Sequence, residues 1–494
     1  MKYYSTRDIS KTKYESSFVI KQGLAADGGL FVPESIPVLS LEEIQSYTAL
    51  SYPKLAATIL SKYLTDYSYD ELLADCEAAY SHKSFGEDAC PLKEVNANTY
   101  SLELWHGPTC AFKDMALQIM PRLLSRALTK TNESNDALIL VATSGDTGKA
   151  ALEGYKNIEN IKISVFYPQD GVSAVQKLQM ATQDGNNVNV CAIQGNFDDI
   201  QTSVKKIFSD NEFANEISSK GYSFSSANSI NFGRLAPQIV YYFKAYCDLL
   251  KQNKIRLGDK INVCVPTGNF GNILAAYFAK LMGLPLGKLI CASNSNNILT
   301  DFLSGGKYDR NRDFHLTISP SMDILISSNL ERLLYFAAGS EKTIEWMNSL
   351  KDVGYYEIDN QTKAKIDDTF IGYCADENST RATIKSLYHE YSYLIDTHTA
   401  VGFSALEQYR HATNDNTISV VASTANPYKF AKDVYTSLFE DCKLDDLAAL
   451  NALCEKTGEP IPKPLADLTS KAVNFNSIAT PEQMHDIIRD FVKK

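Results

Sequence analysis

Residues 137–156, "ALILVATSGDTGKAALEGYK", change character twice within one short stretch. "ALILVA" (137–142) is an uninterrupted apolar run, the mark of a strand buried on both faces. "TSGDTG" breaks the run with small and polar residues, and "KAALEGYK" resumes with helical spacing. The same unit recurs along the chain. "IKISVFYP" (161–168) precedes the helical "SAVQKLQMATQ", and "NVNVCAIQG" (187–195) precedes "DDIQTSVKKIFSD". Farther on, "INVCVPTG" (261–268) feeds "NFGNILAAYFAKLMG", and "TISVVAST" (417–424) feeds "NPYKFAKDVYTSLF". Apolar strands alternating with helices predict an α/β fold with parallel sheets covered on both faces.

The first 95 or so residues read differently, as a mainly helical module. "LEEIQSY", "YPKLAATILSKYL" and "YDELLADCEAAY" are amphipathic, and the glycine-rich turn "LAADGGLFVP" precedes them. Residues 96–494 then form the catalytic region, and 300–315 and 353–380 read as polar, turn-rich soft spots. A chain of 494 residues has room for two or three domains, each with its own core. Its net charge of −11, without a basic run, argues against nucleic acid as a partner. No apolar run approaches the roughly 18 residues of a membrane span. "MKYYSTRDIS" lacks the apolar core of a secretory signal, and the ten cysteines include no CxxC. A reduced, cytoplasmic protein is expected. "HEYSY" (389–393) fails the HExxH pattern, and no metal site is expected.

In open α/β sheets ligands bind where strands end and helices begin. Three such junctions are rich in small and polar residues. In "ATSGDTGKA" (142–150) the spacing fails the nucleotide P-loop, which needs glycine where Thr143 stands and a hydroxyl where Ala150 stands. The loop is either a tight helix cap or a receptor for a carboxylate or phosphate. In "PTGNFGN" (266–272), Gly268 and Gly271 let the backbone turn and approach a ligand at a helix start. That suits a phosphate monoester cup as well as a plain glycine-rich turn. In "ASTANPYKF" (422–430), Ser423 or Thr424 caps the next helix or bonds a ligand heteroatom.

A fourth stretch, "HGPTCAFKDMALQ" (106–118), opens a helix with Lys113 set between the apolar "CAF" and Asp114. On its own a snorkelling surface lysine would explain it. Together, a lysine, a phosphate cup and a lone hydroxyl at three helix starts match pyridoxal phosphate. That cofactor needs an amine for a Schiff base, a cup for its phosphate and a partner for its ring nitrogen.

These stretches closely resemble the threonine synthase family, within fold-type II of the pyridoxal-phosphate enzymes. "HGPTCAFKD" is similar to that family's lysine motif, and the resemblance spans nearly the whole chain. It includes "STR…GLAADGGLFVP", "ATSGDTG", "SANSINFGRLAPQ", "PTGNFGNILA", "SPSMDILISSNLERLL", "DTHTAVG" and "STANPYKF". The resemblance implies that Lys113 carries the cofactor, that Gly268, Asn269, Phe270, Gly271 and Asn272 cradle its phosphate, and that Thr424 faces its ring nitrogen. "SANSINFGR" implicates Asn228, Ser229 and Arg234 in binding a substrate phosphate, a bidentate task suited to arginine. Thr143, Ser144 and Thr147 would hold the substrate carboxylate, with Asp146 and Ser423 nearby. An aspartate beside a bound carboxylate repels it unless turned away or paired with a cation. Asn426 stands where the family commonly has histidine; it can still cap its helix. His398 in "DTHTAVG" reads as structural support. The implied substrate is O-phospho-L-homoserine, which water converts to L-threonine and phosphate. An inner domain, about 130–235, is expected to close over the substrate against a cofactor-anchoring domain, mostly 236–494.

Overall fold

The computed structural model describes residues 1–143, 145–170, 172–440 and 443–493. Two parallel sheets organise the chain. The larger has the strand order Phe370–Cys374, Leu286–Ser293, Ile261–Pro266, Ser419–Ser423, Thr99–Glu103, Leu92–Asn96. The first five run parallel, and only Leu92–Asn96 is antiparallel to its neighbour. Every residue of Ile261–Pro266 and of Ser419–Ser423 is buried, as expected for strands covered on both faces. The smaller sheet has the order Ile478–Ala479, Val188–Ile193, Ile161–Pro168, Asp136–Ala142, Tyr222–Ser225, all parallel. Its outer layer packs Leu138, Leu140 and Phe166 against Ile200 and Ile207 and against Met484, Ile488 and Phe491 from the far end of the chain. Residues beyond about 477 therefore belong to the small sheet, and residues 92–103 to the large one.

The N-terminal region departs from the sequence reading in two ways. Tyr3–Ser5 and Phe31–Pro33 pair as an antiparallel ribbon, which three-residue strands are too short to announce by periodicity. The module also has no core of its own. Tyr3, Leu60 and Tyr63 share one apolar cluster with Phe232 and Phe278 of the large domain. The rings of Tyr3 and Phe232 meet edge to face, 5.0 Å between centroids.

Much of both expected soft spots is regular secondary structure, while residues 310–315 are irregular as expected. Ile298–Gly305 and Asn360–Thr369 are helices, Lys307–Asp309 pairs with Tyr355–Glu357, and Phe370–Cys374 is the edge strand of the large sheet. Aromatic packing outweighs the polar composition here. Phe302 and Trp346 flank the stacked rings of Tyr308 and Tyr356, 5.3 Å apart. The single helix expected after Lys113 is two, Asp114–Leu117 and Met120–Lys130. The break precedes Pro121, which has no N–H to donate to the Leu117 carbonyl four residues back and so sits in the first turn of the second helix. Among the described residues, no helix is long and apolar enough to cross a membrane, and no cluster of three or more His, Cys, Asp or Glu could hold a metal.

Candidate active site

Lys113 reaches the cleft because two distant loops are joined backbone to backbone. Phe112 N donates to Thr424 O at 2.8 Å, Asn426 N donates to Cys110 O at 3.0 Å, and Ala111 bridges Ala425. The lysine thus stands beside the end of strand Ser419–Ser423. Just behind it Asp114 is fully buried and accepts from Thr109 N at 2.8 Å and Thr109 Oγ1 at 2.7 Å. Burial pushes that carboxyl up to about 6 against the pull of these bonds. Gly107 is required here by space, since a Cβ would lie 2.5 Å from Asp114 Cβ. The Lys113 amine is 3.4 Å from Ser321 Oγ and 4.0 Å from Asp146 Oδ2. Burial lowers it to about 8; Asp146 opposes that shift, while Lys429 and Arg234 add to it. An amine so placed is a nucleophile and base near neutral pH.

Asp146 begins the helix Asp146–Tyr155 at the end of a small-sheet strand. Its Oδ1 receives Lys429 Nζ at 2.8 Å and Gln176 Nε2 at 2.9 Å. Burial opposes its ionisation, but Lys429 and then Lys113 hold the carboxyl well below the usual range. Lys429 also donates to Thr109 O at 2.8 Å. The repulsion that an aspartate would exert on a bound carboxylate is thereby met by a paired cation. Thr143 turns its hydroxyl into the same loop, accepting from Gly145 N at 3.1 Å and Gly148 N at 3.0 Å. Thr147 is half-buried on the first turn of the helix. Ser144 lies outside the described residues.

The loop 267–272 opens the helix Gly271–Leu281 at the end of the large sheet's third strand. The residue that turns it is Phe270, left-handed at φ +61°, rather than either glycine expected to do so. Holding a non-glycine residue there costs about 1–2 kcal/mol. Gly268 is needed for close approach instead, because a Cβ would lie 2.8 Å from Ser321 O. Asn269 O accepts from Asn329 N at 3.1 Å and Asn329 Nδ2 at 3.0 Å. Asn272 Oδ1 accepts from Tyr241 and Tyr242, while its buried Nδ2 has no partner among the described residues. At the neighbouring strand end, Thr424 N donates to Thr399 Oγ1 at 3.3 Å. Ser423 Oγ is engaged by Trp105 Nε1 at 2.9 Å and by Thr399 Oγ1 at 3.1 Å. Asn426 caps the turn that follows, accepting from Tyr428 N at 3.0 Å. His398 supports this wall: its Nε2 accepts from Ser321 N at 3.1 Å, so Nδ1 carries the proton toward Asp396 Oδ2 at 2.8 Å.

The third wall is the segment leading into the helix Phe232–Lys251. Arg234 is 5% exposed and donates from Nη1 to Ala227 O at 2.8 Å, while its Nε has no partner among the described residues. Burial lowers the guanidinium to about 10, with only Tyr155 acting in the other direction. The Tyr155 hydroxyl is likewise buried without a partner among those residues. Asn228 is exposed and accepts from Ile230 N, and Ser229 O accepts from Asn329 Nδ2 at 3.3 Å.

Asn329 therefore joins the loop around Asn269 to the loop around Ser229. Arg332, fully buried three residues on, extends the tie by donating to Ile230 O at 2.6 Å and to Phe31 O at 2.9 Å. Asn329, Arg332, Lys429, Gln176 and Ser321 are site residues that motif reading did not single out. Nothing local in "NLERLL" or "NPYKF" announces a buried guanidinium or a buried lysine; their distant partners do.

This donor set suits pyridoxal phosphate. It offers a primary amine with a depressed proton affinity, a helix N-terminus where the buried Asn272 amide has no partner among the described residues, and a hydroxyl residue at Thr424 beside the lysine. Comparison with known proteins agrees with the geometry. Residues 91–424 match the family model for pyridoxal-phosphate dependent enzymes, residues 2–80 that for the threonine synthase N terminus, and residues 399–488 that for the threonine synthase C-terminal region. Threonine synthase of Pseudomonas aeruginosa is 39% identical, covering 88% of this chain and 90% of its own. Human threonine synthase-like 1 is 40% identical over 86% of this chain, which spans 58% of that relative's length. A crystal structure of pyridoxal-phosphate-bound threonine synthase from Brucella melitensis superposes over the full length of both chains with a TM-score of 0.89 at 35% identity. The chain belongs to the threonine synthase family of pyridoxal-phosphate-dependent, fold-type II enzymes.

Proposed function

We propose that this chain converts O-phospho-L-homoserine and water to L-threonine and phosphate. The observation that carries the reading is Arg234, a buried guanidinium without a carboxylate partner among the described residues, in the same cleft as a reactive lysine. A buried cation is stable only when compensated, and a substrate phosphate supplies the missing anion with bidentate geometry.

Lys113, the 268–272 loop and Thr424 would hold the cofactor, which when bound supplies an electron-withdrawing ring that stabilises negative charge on the substrate's carbon chain. The residues of the chain do the rest. Arg234, with Asn228 and Ser229, grips the phosphate and fixes which end of the substrate faces Lys113. Thr143, Ser144 and Thr147 belong to the loop that receives the α-carboxylate at a helix N-terminus, with Asp146 kept harmless by Lys429. The neutral Lys113 amine removes a proton at the α carbon, passes it to the phosphate group, and then removes a second at the β carbon; phosphate leaves the γ carbon toward Arg234, and Lys113 returns its proton at the γ carbon. Water then adds its hydroxyl at the β carbon, and its proton goes to the α carbon to complete L-threonine. The small sheet with its helices, including the returning C-terminal segment, is the unit that closes over the cleft until that step. The nine described cysteines are all free, in keeping with a reducing cytoplasm.

Assays of threonine and phosphate release from phosphohomoserine, beside 2-oxo acid release from serine and threonine, test the proposal. Stoichiometric threonine and phosphate are expected. Turnover of serine with phosphohomoserine inert would replace the reading with a dehydratase, and no turnover with cofactor bound would indicate a non-catalytic relative.

A further inference from the structure

Lys429 takes no part in the reaction just described except to neutralise Asp146, yet its burial is extreme. The side chain is 0% exposed, and among the described residues Nζ bonds only inward, to Asp146 Oδ1 and Thr109 O, each at 2.8 Å. A lysine so deep needs a task that outweighs its desolvation. Its position supplies one. Asp146 lies between two amines, Lys429 at 2.8 Å and Lys113 at 4.0 Å, and its carboxylate has two oxygens to offer them. We infer that Lys429 is a positioning residue for Lys113: by holding Asp146 in an ion pair, it stops that carboxylate from drawing Lys113 into its protonated, inert form. The inference deepens the proposed reaction and rests on Lys113 being its base.

The charges around Lys113 agree on the sign. Asp146, on the small-sheet helix, and Asp114, on the helix that Lys113 itself caps, favour the protonated amine. Lys429, after strand Ser419–Ser423, and Arg234, on the helix Phe232–Lys251, disfavour it. The fifth neighbour, Ser321, offers a hydroxyl, and His398 behind it bonds the Ser321 backbone. On the far side Lys429 faces Thr109, Cys110 and Asp114, so that among the described residues its only direct ion pair is with Asp146. Replacing Lys429 by an apolar residue removes a repelling cation and also leaves Asp146 with Lys113 as its remaining cation. Both changes favour protonated Lys113. Asp146 and Gln176 stand on the small-sheet side of the cleft, whereas Lys429 and Thr109 stand on the other, so the same pair joins the two walls.

The test reads Lys113 in the cofactor-free protein. The rate at which trinitrobenzenesulfonate labels Lys113, followed by peptide mass spectrometry against pH, should give a midpoint near 8 in the unaltered chain. Lys429→Met should raise that midpoint by about one pH unit or more, the effect of a single charge within a few ångströms. Asp146→Asn should lower it, the double variant should fall back below Lys429→Met, and Lys429→Arg should leave it near the original. A merely structural Lys429 would leave the Lys429→Met midpoint in place, and that result overturns the assignment. Should Lys429→Met fail to fold, Lys429→Gln, likewise uncharged, is read in its place, an unmoved midpoint again being fatal. The midpoint is read without turnover. A chain that makes no threonine but shows the shifts loses the reaction and keeps this assignment; an active chain with unmoved midpoints does the reverse.

Discussion

Of the cations buried at this cleft, Lys429 and Arg234 are treated in opposite ways. Lys429 is closed off by a carboxylate at 2.8 Å, with a backbone carbonyl as its second acceptor. Arg234 has a backbone carbonyl and an unpartnered Nε among the described residues, with no carboxylate in contact. The first arrangement is complete within the chain and sets the charge of its neighbours. The second is incomplete, and in the proposed reading an anion from solution completes it. A buried cation with an internal partner is framework, whereas one without a partner is a binding site.

Lys113 lies between the two cases, with a carboxylate at 4.0 Å that belongs to another cation. Lys113→Ala should give the largest effect, lowering turnover by about four orders of magnitude while the cofactor still binds weakly through the 268–272 loop. Borohydride reduction of the unaltered, cofactor-loaded chain should fix a pyridoxyl group on Lys113; a label on Lys429 would break the comparison outright. The next effect concerns stability. Lys429→Met leaves a buried aspartate without its partner and should cost roughly 3 kcal/mol in denaturant unfolding of the cofactor-free chain. Arg234→Met removes an uncompensated charge and should be neutral or mildly stabilising in the same measurement. Equal losses would mean that Arg234 is framework too. Arg234→Ala should then weaken phosphohomoserine far more than its unphosphorylated analogue, by about 1.5–3 kcal/mol, or roughly 10- to 150-fold in kcat/KM. The smallest effect is expected at Tyr155, buried near Arg234 with an unpartnered hydroxyl. Tyr155→Phe should cost phosphate binding about 0.5–1.5 kcal/mol and leave the Lys113 labelling midpoint where it was.

What could be read from sequence follows the distance over which each role is decided. The α/β fold and the loops at 142–150, 266–272 and 422–430 were legible because strand, turn and helix start are local features. Lys113 stood out through its own neighbours. Asn329 and Arg332 were not legible, because what each binds lies about 60 to 300 residues away: Asn269, Ser229, Ile230 and Phe31. Lys429 was hidden for the same reason, its carbonyl acceptor on Thr109 being 320 residues back. Phe270 shows a subtler failure. Two glycines in "PTGNFGN" invited the left-handed position, and local chemistry could not reveal that Ser321 needed the space at Gly268 instead. The aromatic group Phe302, Tyr308, Trp346 and Tyr356 likewise orders a polar stretch through contacts that no single window contains.

The return of Ile478–Ala479 to the small sheet bears on how the chain is made. Synthesis proceeds from the N-terminus at about 5–20 residues per second. Val188–Ile193 therefore emerges long before the strand that covers its outer edge. For the time needed to translate nearly 300 further residues, that edge presents unpaired backbone groups, and Ile200, Ile207 and Phe213 lack the cover of Met484, Ile488 and Phe491. The large sheet can assemble as soon as Ser423 is out, but the small one is sealed last. Nascent chains stalled before residue 478 should therefore be the form that chaperones hold and that self-associates through this edge, so that the end of translation rather than the first collapse licenses a soluble fold.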